Sequence, residues 1–377
     1  MRKSILTVAV SSAFAIPIVA SAQTAPAAPA APTLDKVLEA SGVSLSGYID
    51  TAYSHADRDI ESGFNPRVFD GQNNSFVLHQ VGLQIAKQPK EGFGGLVNIT
   101  AGRDAGIIRS SDSTDSTFDV TQAFAQYATG PFTLMVGKFT TLHGTEVIWS
   151  PSNSQFSRSL LFGAVPFTHT GVRASFAAGD KVTLYGGVNN GWDQLKDQNK
   201  GKTTELGITV TPIKPVSLTA SYYGGQESAT ATGQPARRDS FNFVGSWNII
   251  EPLNVGIEYL SVQQKEGIID SSGNPAKAKY SGWAGYVSYL FMPKLKGSAR
   301  LESFDDKDAY HFGMPGTSTT GGKYKEYTLT MAYLPADSYE VRGEIRQDRS
   351  NQQAFTGDNG SFSKNLTTFA VQVLYKF

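Results

Sequence analysis

The sequence has no cysteine among its 377 residues, so neither a disulfide framework nor a thiolate metal site can staple it, and its stability has to come from the fold itself. Beyond the N-terminus it also lacks any run near the roughly 20 apolar residues that a membrane helix needs. Mean hydropathy is −0.23, which a hydropathy scan reads as soluble; a β-barrel escapes such a scan, because each strand needs only every second residue apolar. An excess of charge is missing too. Lys and Arg number 33 and Asp and Glu 33, and removal of an N-terminal signal carrying Arg2 and Lys3 leaves a net charge of about −2, which gives no support for a nucleic-acid partner.

Catalytic and metal-binding patterns are absent as well. The histidines His55, His79, His143, His169 and His311 sit singly, without the i, i+4 or Glu-x-x-His spacing of a metal site, so neither a metal nor a cofactor is expected. There is no Gly-x-Ser-x-Gly elbow, and a pairing such as Ser150 with His143 is no more than chance yields in a Ser-rich chain. No catalytic residue is assigned and no enzyme is expected. The glycine-rich piece from Gly313 to Gly322 lacks the strand–turn–helix context of a phosphate loop.

What is present is a rhythm. Met1-Arg2-Lys3, an apolar stretch from Ile5 to Val19 and Ala20-Ser21-Ala22 read as a secretory signal over residues 1–22. An Ala/Pro-rich linker follows, then a short helix from Leu34 to Ala40 with Thr33 as its N-cap and Gly42 as its stop, so that 23–43 form a periplasmic lead-in. From Ser44 onward, segments of about 10 alternating residues are separated by breaks that are alternately short and long. The short ones carry turn chemistry: Pro89 to Gly92, Gly130-Pro131, Gly179-Asp180, Pro212 to Pro215, Glu251-Pro252, Met292 to Lys294 and Pro335 to Ser338. The long ones are polar: 56–73, 104–117, 140–167, 190–202, 225–238, 266–279, 305–322 and 350–364. Seven short and eight long connections join about 16 strands, the even number of a closed bacterial barrel, with both chain ends on the short-turn side. The fold class predicted for residues 44–377 is therefore all-β, a transmembrane antiparallel β-barrel.

Each late strand has two characters. Phe241, Phe243 and Trp247, then Leu253, Val255, Ile257 and Tyr259, then Trp283, Val287, Tyr289 and Phe291, then Tyr327, Leu329, Met331 and Tyr333 keep one parity and are expected to meet outer-membrane lipid. The other parity is charged. Lys296, Arg300, Arg342, Arg346 and Lys376 stand against Glu258, Glu302, Glu326, Glu340 and Glu344; they are read as lining a water-filled lumen with little net field, hence weak ion selectivity. The final segment ends on Tyr375 and Phe377 in the apolar parity, a pattern that resembles the terminal strand of bacterial outer-membrane barrels and implies recognition by the barrel assembly machinery.

One long break stands apart. Residues 140–167 contain Val147-Ile148-Trp149, Leu160-Leu161-Phe162 and Val165-Pro166-Phe167, too much apolar surface to wave in solvent. The segment is read as a third loop folded inward to narrow the pore, with Glu146, Arg158 and Trp149 at the constriction. A lid over the outer mouth, packed on neighbouring loops, is the competing picture. Within the inward reading, Glu146 either faces the Arg300, Arg342 and Arg346 wall or pairs with Arg158 to pin the loop.

Gly137-Lys138-Phe139, Gly144 with Glu146, Ser157-Arg158-Ser159-Leu160-Leu161-Phe162 and Pro166-Phe167-Thr168-His169-Thr170-Gly171 resemble the signature stretch of the OmpL-like beta-barrel porins. Ser46-Gly47-Tyr48-Ile49-Asp50 and Gly92-Phe93-Gly94 are similar to that family too, while His143 departs from the apolar or Pro residue expected before Gly144. The resemblance implies an outer-membrane channel for passive diffusion of small hydrophilic solutes and names no solute. Monomer and homotrimer both remain open. The alternative of another class is a plugged barrel used for adhesion, binding or structure.

Overall fold

The computed structural model describes residues 33–377 apart from 62, 316–319 and 358; the expected signal over 1–22 and the expected linker up to residue 32 lie outside the described residues. A two-turn helix, α1 (Leu34–Ser41), comes first. Gly42 ends it in the left-handed conformation at φ +66°, which costs glycine nothing, and Val43 N–H closes the turn on the Leu38 carbonyl (3.1 Å). Thr33 holds the N-cap position in extended conformation, but its side chain makes no capping hydrogen bond.

Sixteen antiparallel strands then close into one barrel. In chain order they are β1 (Ser44–Ala56), β2 (Ser75–Lys87), β3 (Gly92–Ala101), β4 (Phe118–Thr129), β5 (Phe132–Thr140), β6 (Thr168–Ala177), β7 (Val182–Asn189) and β8 (Thr203–Val210), followed by β9 (Val216–Ser228), β10 (Pro235–Ile250), β11 (Leu253–Ile269), β12 (Pro275–Met292), β13 (Leu295–Asp306), β14 (Gly322–Ala336), β15 (Tyr339–Ser350) and β16 (Asn365–Lys376). Each strand pairs with its neighbours in sequence, and β1 closes the circle on β16 with Tyr48 opposite Lys376. No helix among the described residues is long and apolar enough to cross a membrane.

All seven short turns fall where the turn residues place them. Two of the expected long breaks are much shorter than the sequence suggests. β9 and β10 run on to a connection at 229–234, and β11 and β12 to one at 270–274, because the Gln, Arg, Lys and Ser residues read there as loop go on pairing across the hairpin. The 350–364 connection carries a two-stranded ribbon, Phe355–Thr356 with Phe362–Ser363.

The period-two pattern decides which side of the wall each residue meets. On β14, Tyr327, Leu329, Met331 and Tyr333 are exposed while Glu326, Thr328, Thr330 and Ala332 are buried, although the buried set is the more polar one. That inversion is what a closed wall with an apolar exterior and a polar interior requires. The outward residues of the other late strands named above are likewise exposed or half-buried. The early strands break the alternation: β2 shifts register around His79 and β4 around Thr121, and each bulge turns two successive residues inward, His79 with Gln80 and Thr121 with Gln122.

Candidate functional site

The segment that joins β5 to β6, residues 141–167, is hydrogen-bonded to the charged parity of the wall. Such a stretch has little regular structure of its own, so its peptide groups need partners once they leave water. The charged parity of the wall supplies them. Glu258 accepts from the Thr145 N–H (2.9 Å), Glu344 from Phe156 and Ser157 (2.8 and 3.0 Å), and Glu302 from Leu160 and Leu161 (both 2.7 Å). The arginines take the carbonyls. Arg342 donates to Asn153 and Gln155 (2.7 and 3.2 Å), Arg300 to Ser157 (2.9 Å) and Arg346 to Arg158 (2.6 Å). At the α-helical turn in the segment, α2 (Leu160–Gly163), Ser159 caps Phe162 N–H through its hydroxyl (3.0 Å) while Glu302 satisfies the two leading N–H groups, so a carboxylate meets the positive end of the turn.

The expected pore-lining residues therefore face inward but are largely covered. Arg300, Glu326 and Arg342 are fully buried and Glu302, Glu340, Glu344 and Arg346 nearly so; only Lys296 and Lys376 are half-exposed. The wall charges also pair with one another: Arg300 with Glu326 (3.0 Å), Arg342 with Glu340 (2.8 Å) and Arg346 with Asp348 (2.9 Å). Lys296 reaches Glu340 at 3.4 Å.

Glu146 joins the wall, not Arg158. Its carboxylate accepts from Arg300 (2.6 Å) and from Ser159 N–H (2.7 Å), and no Glu146–Arg158 salt bridge forms among the described residues. Arg158 folds back on its own segment instead, donating to the carbonyls of Phe156 (2.8 Å) and Val147 (3.2 Å) with its guanidinium over the rings of Phe69 and Phe162. Trp149 sits edge-on to Tyr48, centroids 4.5 Å apart. The apolar residues pack on neighbouring loops as well as on the wall. Ile148 and Phe162 cluster with Phe69 from the first long connection and Ile108 from the second, and Leu160, Leu161, Ala164 and Val165 with Leu260, Tyr280 and Phe304 of the wall.

His143, out of pattern in sequence, is an anchor. Its ring lies between the hydroxyls of Ser221 (2.8 Å) and Ser240 (2.5 Å) and edge-on to Tyr223. Both ring nitrogens are thereby occupied, and Ser150 accepts from Arg158 rather than from His143. Where the segment returns to the wall, Asp193 accepts from Phe167 and Thr168 N–H (both 2.8 Å). Burial pushes its carboxyl up to about 7, against the two N–H groups that lower it.

Several contributors carried no signal in sequence. Arg67 reaches from the first long connection to Asp348 (2.9 Å) and Asp70 (2.9 Å), and His79 and Gln80 hold Asp104 (3.0 and 2.9 Å). Both lie where loops or bulges interrupt the alternation. Beside the segment, against β1–β5, remains a cavity of about 520 Å³.

The family described as "Putative beta-barrel porin-2, OmpL-like" matches residues 42–377. This chain belongs to that family. The porin is an outer-membrane channel for passive diffusion of small hydrophilic solutes, and its place is the bacterial outer membrane; family and fold are those of a channel. Solved structures agree on the fold. The outer membrane channel DcaP of Acinetobacter baumannii is similar at TM-score 0.61 and 14% identity over 89% of this chain and 97% of that one. An anion-selective porin from Comamonas acidovorans matches at 0.59 and 11% over 89% and 99%, and OmpT of Vibrio cholerae in its trimer form at 0.58 and 13% over 89% and 99%. No curated relative matches the sequence.

Proposed function

We propose that the segment 141–167 is the constriction of this porin, held inside the barrel by the charged parity of β11–β15, and that solutes pass through the lumen it leaves open. The observation that carries this reading is the pairing of wall acids with the segment's N–H groups and wall arginines with its carbonyls. Ions so paired are scaffolding, and the passage runs beside them. The exposed apolar parity, from Phe76 and Phe93 (82% and 81% exposed) to Leu329 and Met331, is the surface for outer-membrane lipid, and Tyr375 with Phe377 at the end of β16 is the address for the assembly machinery. A homotrimer is the assembly proposed, supported by the trimer form of the similar Vibrio cholerae OmpT.

Single-channel recording in a planar bilayer tests the constriction. Deleting residues 147–162 should raise the conductance of correctly folded protein and admit larger solutes, because the 520 Å³ cavity would merge with the space that the segment fills. Unchanged conductance would make the segment a lid. No conductance from either protein would favour the plugged barrel.

A further inference from the structure

The cavity beside the segment has two unlike walls. One is the row Ser46, Gln84, Asn98 and Gln122, in which each residue stands opposite the next across neighbouring strands: Ser46 faces Gln84, Gln84 faces Asn98 and Asn98 faces Gln122. The row ends at Thr140, whose N–H and hydroxyl both donate to Gln122 (3.3 Å each). The bulge in β4 adds Thr121 at the same place. These are uncharged amides and hydroxyls, able both to donate and to accept, and neighbouring strands set the rungs about 4.8 Å apart. The other wall belongs to the segment: Ile148, Trp149, Phe162, Val165 and Phe167.

Fixed charge is nearly missing from this lining. Arg300, Arg342, Arg346, Glu302, Glu326 and Glu344 take no part in it. Glu146 does line the cavity, but its carboxylate is bound to Arg300 and Ser159, and His143 is held between two serines. Lys376 stands at the chain terminus, half-exposed. An ion shedding its water here finds little to replace it. A polyol exchanges its hydration for amide hydrogen bonds along one wall and lays its C–H face on Trp149 and its apolar neighbours, the combination of apolar lining and a few placed polar groups that small-molecule sites use.

We propose that this row and Trp149 form a binding track for neutral polyhydroxylated solutes, carbohydrate-like in chemistry and of one or two rings, a size that fits about 520 Å³. The proposal rests on the channel reading above and adds the solute class to it. The test is the conductance of the purified porin in a planar bilayer under titration with glucose or maltose, with gluconate, glucosamine and the hydroxyl-free osmolyte betaine as comparisons. Saturable reduction of the ion current is expected from the neutral sugars and not from the other three. The double variant Gln84→Leu, Gln122→Leu should raise the half-blocking sugar concentration by about three- to tenfold, as should Trp149→Phe to a lesser degree. Retained heat-modifiability on a gel guards against a change of fold in these variants, and Lys214→Ala, exposed in the turn after β8 and outside the cavity, should stay near wild type. A conducting porin on which sugars act no more than betaine, or on which gluconate or glucosamine acts as strongly, overturns the track and leaves the channel intact. No ion conductance in the wild type overturns the channel reading, and the track with it.

Discussion

Arg300 is fully buried with three kinds of partner: the carboxylates of Glu326 and Glu146, the Ser157 carbonyl and the Ser157 hydroxyl. Replacing it with Ala strands two carboxylates out of water, a loss of about 3–5 kcal/mol by the usual cost of breaking a buried pair, and we expect a clear drop in the temperature at which the heat-modifiable band unfolds on a gel. Lys296→Ala is the contrast. That side chain is 24% exposed and 3.4 Å from Glu340, so its removal should cost at most about 1 kcal/mol. His311, in the connection after β13, answers to pH. It packs on Tyr280, Phe304 and Phe312, and burial, with Arg238 nearby, holds its imidazole down at about 4 from the usual 6.5. A depressed histidine pKa means stability that is full above the unfolded value and fades as pH falls from 6.5 toward 4. Amide hydrogen exchange of residues 307–315, corrected for its intrinsic pH dependence, should accordingly lose protection on acidification, and the His311→Phe variant should lose that part of the pH dependence.

At the seam between the last strand and the first, Phe377 extends the pairing of β16 with β1 past Lys376. Phe377 N–H donates to the Gly47 carbonyl (3.0 Å) and Gly47 N–H to Phe377 (2.8 Å), and the Phe377 ring lies so close over Gly47 that a β-carbon there would meet it at 2.4 Å. Deleting Phe377 should therefore reduce the folded, heat-modifiable form in outer membranes without reducing export to the periplasm, and Gly47→Val should act in the same direction. Normal outer-membrane levels of both variants would count against the terminal strand as assembly signal and seam. The tall strands β10–β12 make another point at this scale. Polar residues beyond the apolar belt were read as loop because composition separates lipid from water, not strand from coil, and a hairpin can keep pairing in water.

Across the whole barrel the fixed charges cancel locally. Wall arginines and wall acids are paired with each other or with the peptide groups of segment 141–167, and the cavity is lined mainly by uncharged groups. Weak ion selectivity was expected from an even tally of five basic and five acidic side chains; the same outcome is now expected for a different reason, namely that these charges are covered. In a salt gradient the reversal potential should lie near zero, and a value close to that of an ideally cation-only or anion-only pore would refute it.

Strand number, the alternation of short and long connections, the parity of the late strands and the apolar character of 141–167 were legible in the sequence, because period-two alternation and turn chemistry are local properties of the chain. The sequence also placed the late-strand charges on the inner face. What those charges touch was decided only in three dimensions: Glu302 and Leu160 are 142 residues apart, and nothing local ties a wall carboxylate to a loop N–H. The same holds for Glu146, which met Arg300 rather than Arg158, and for the row Ser46, Gln84, Asn98 and Gln122. Uncharged residues separated by bulges and turns form a track only when β1–β4 come into register, and register is set by the closure of the whole sheet.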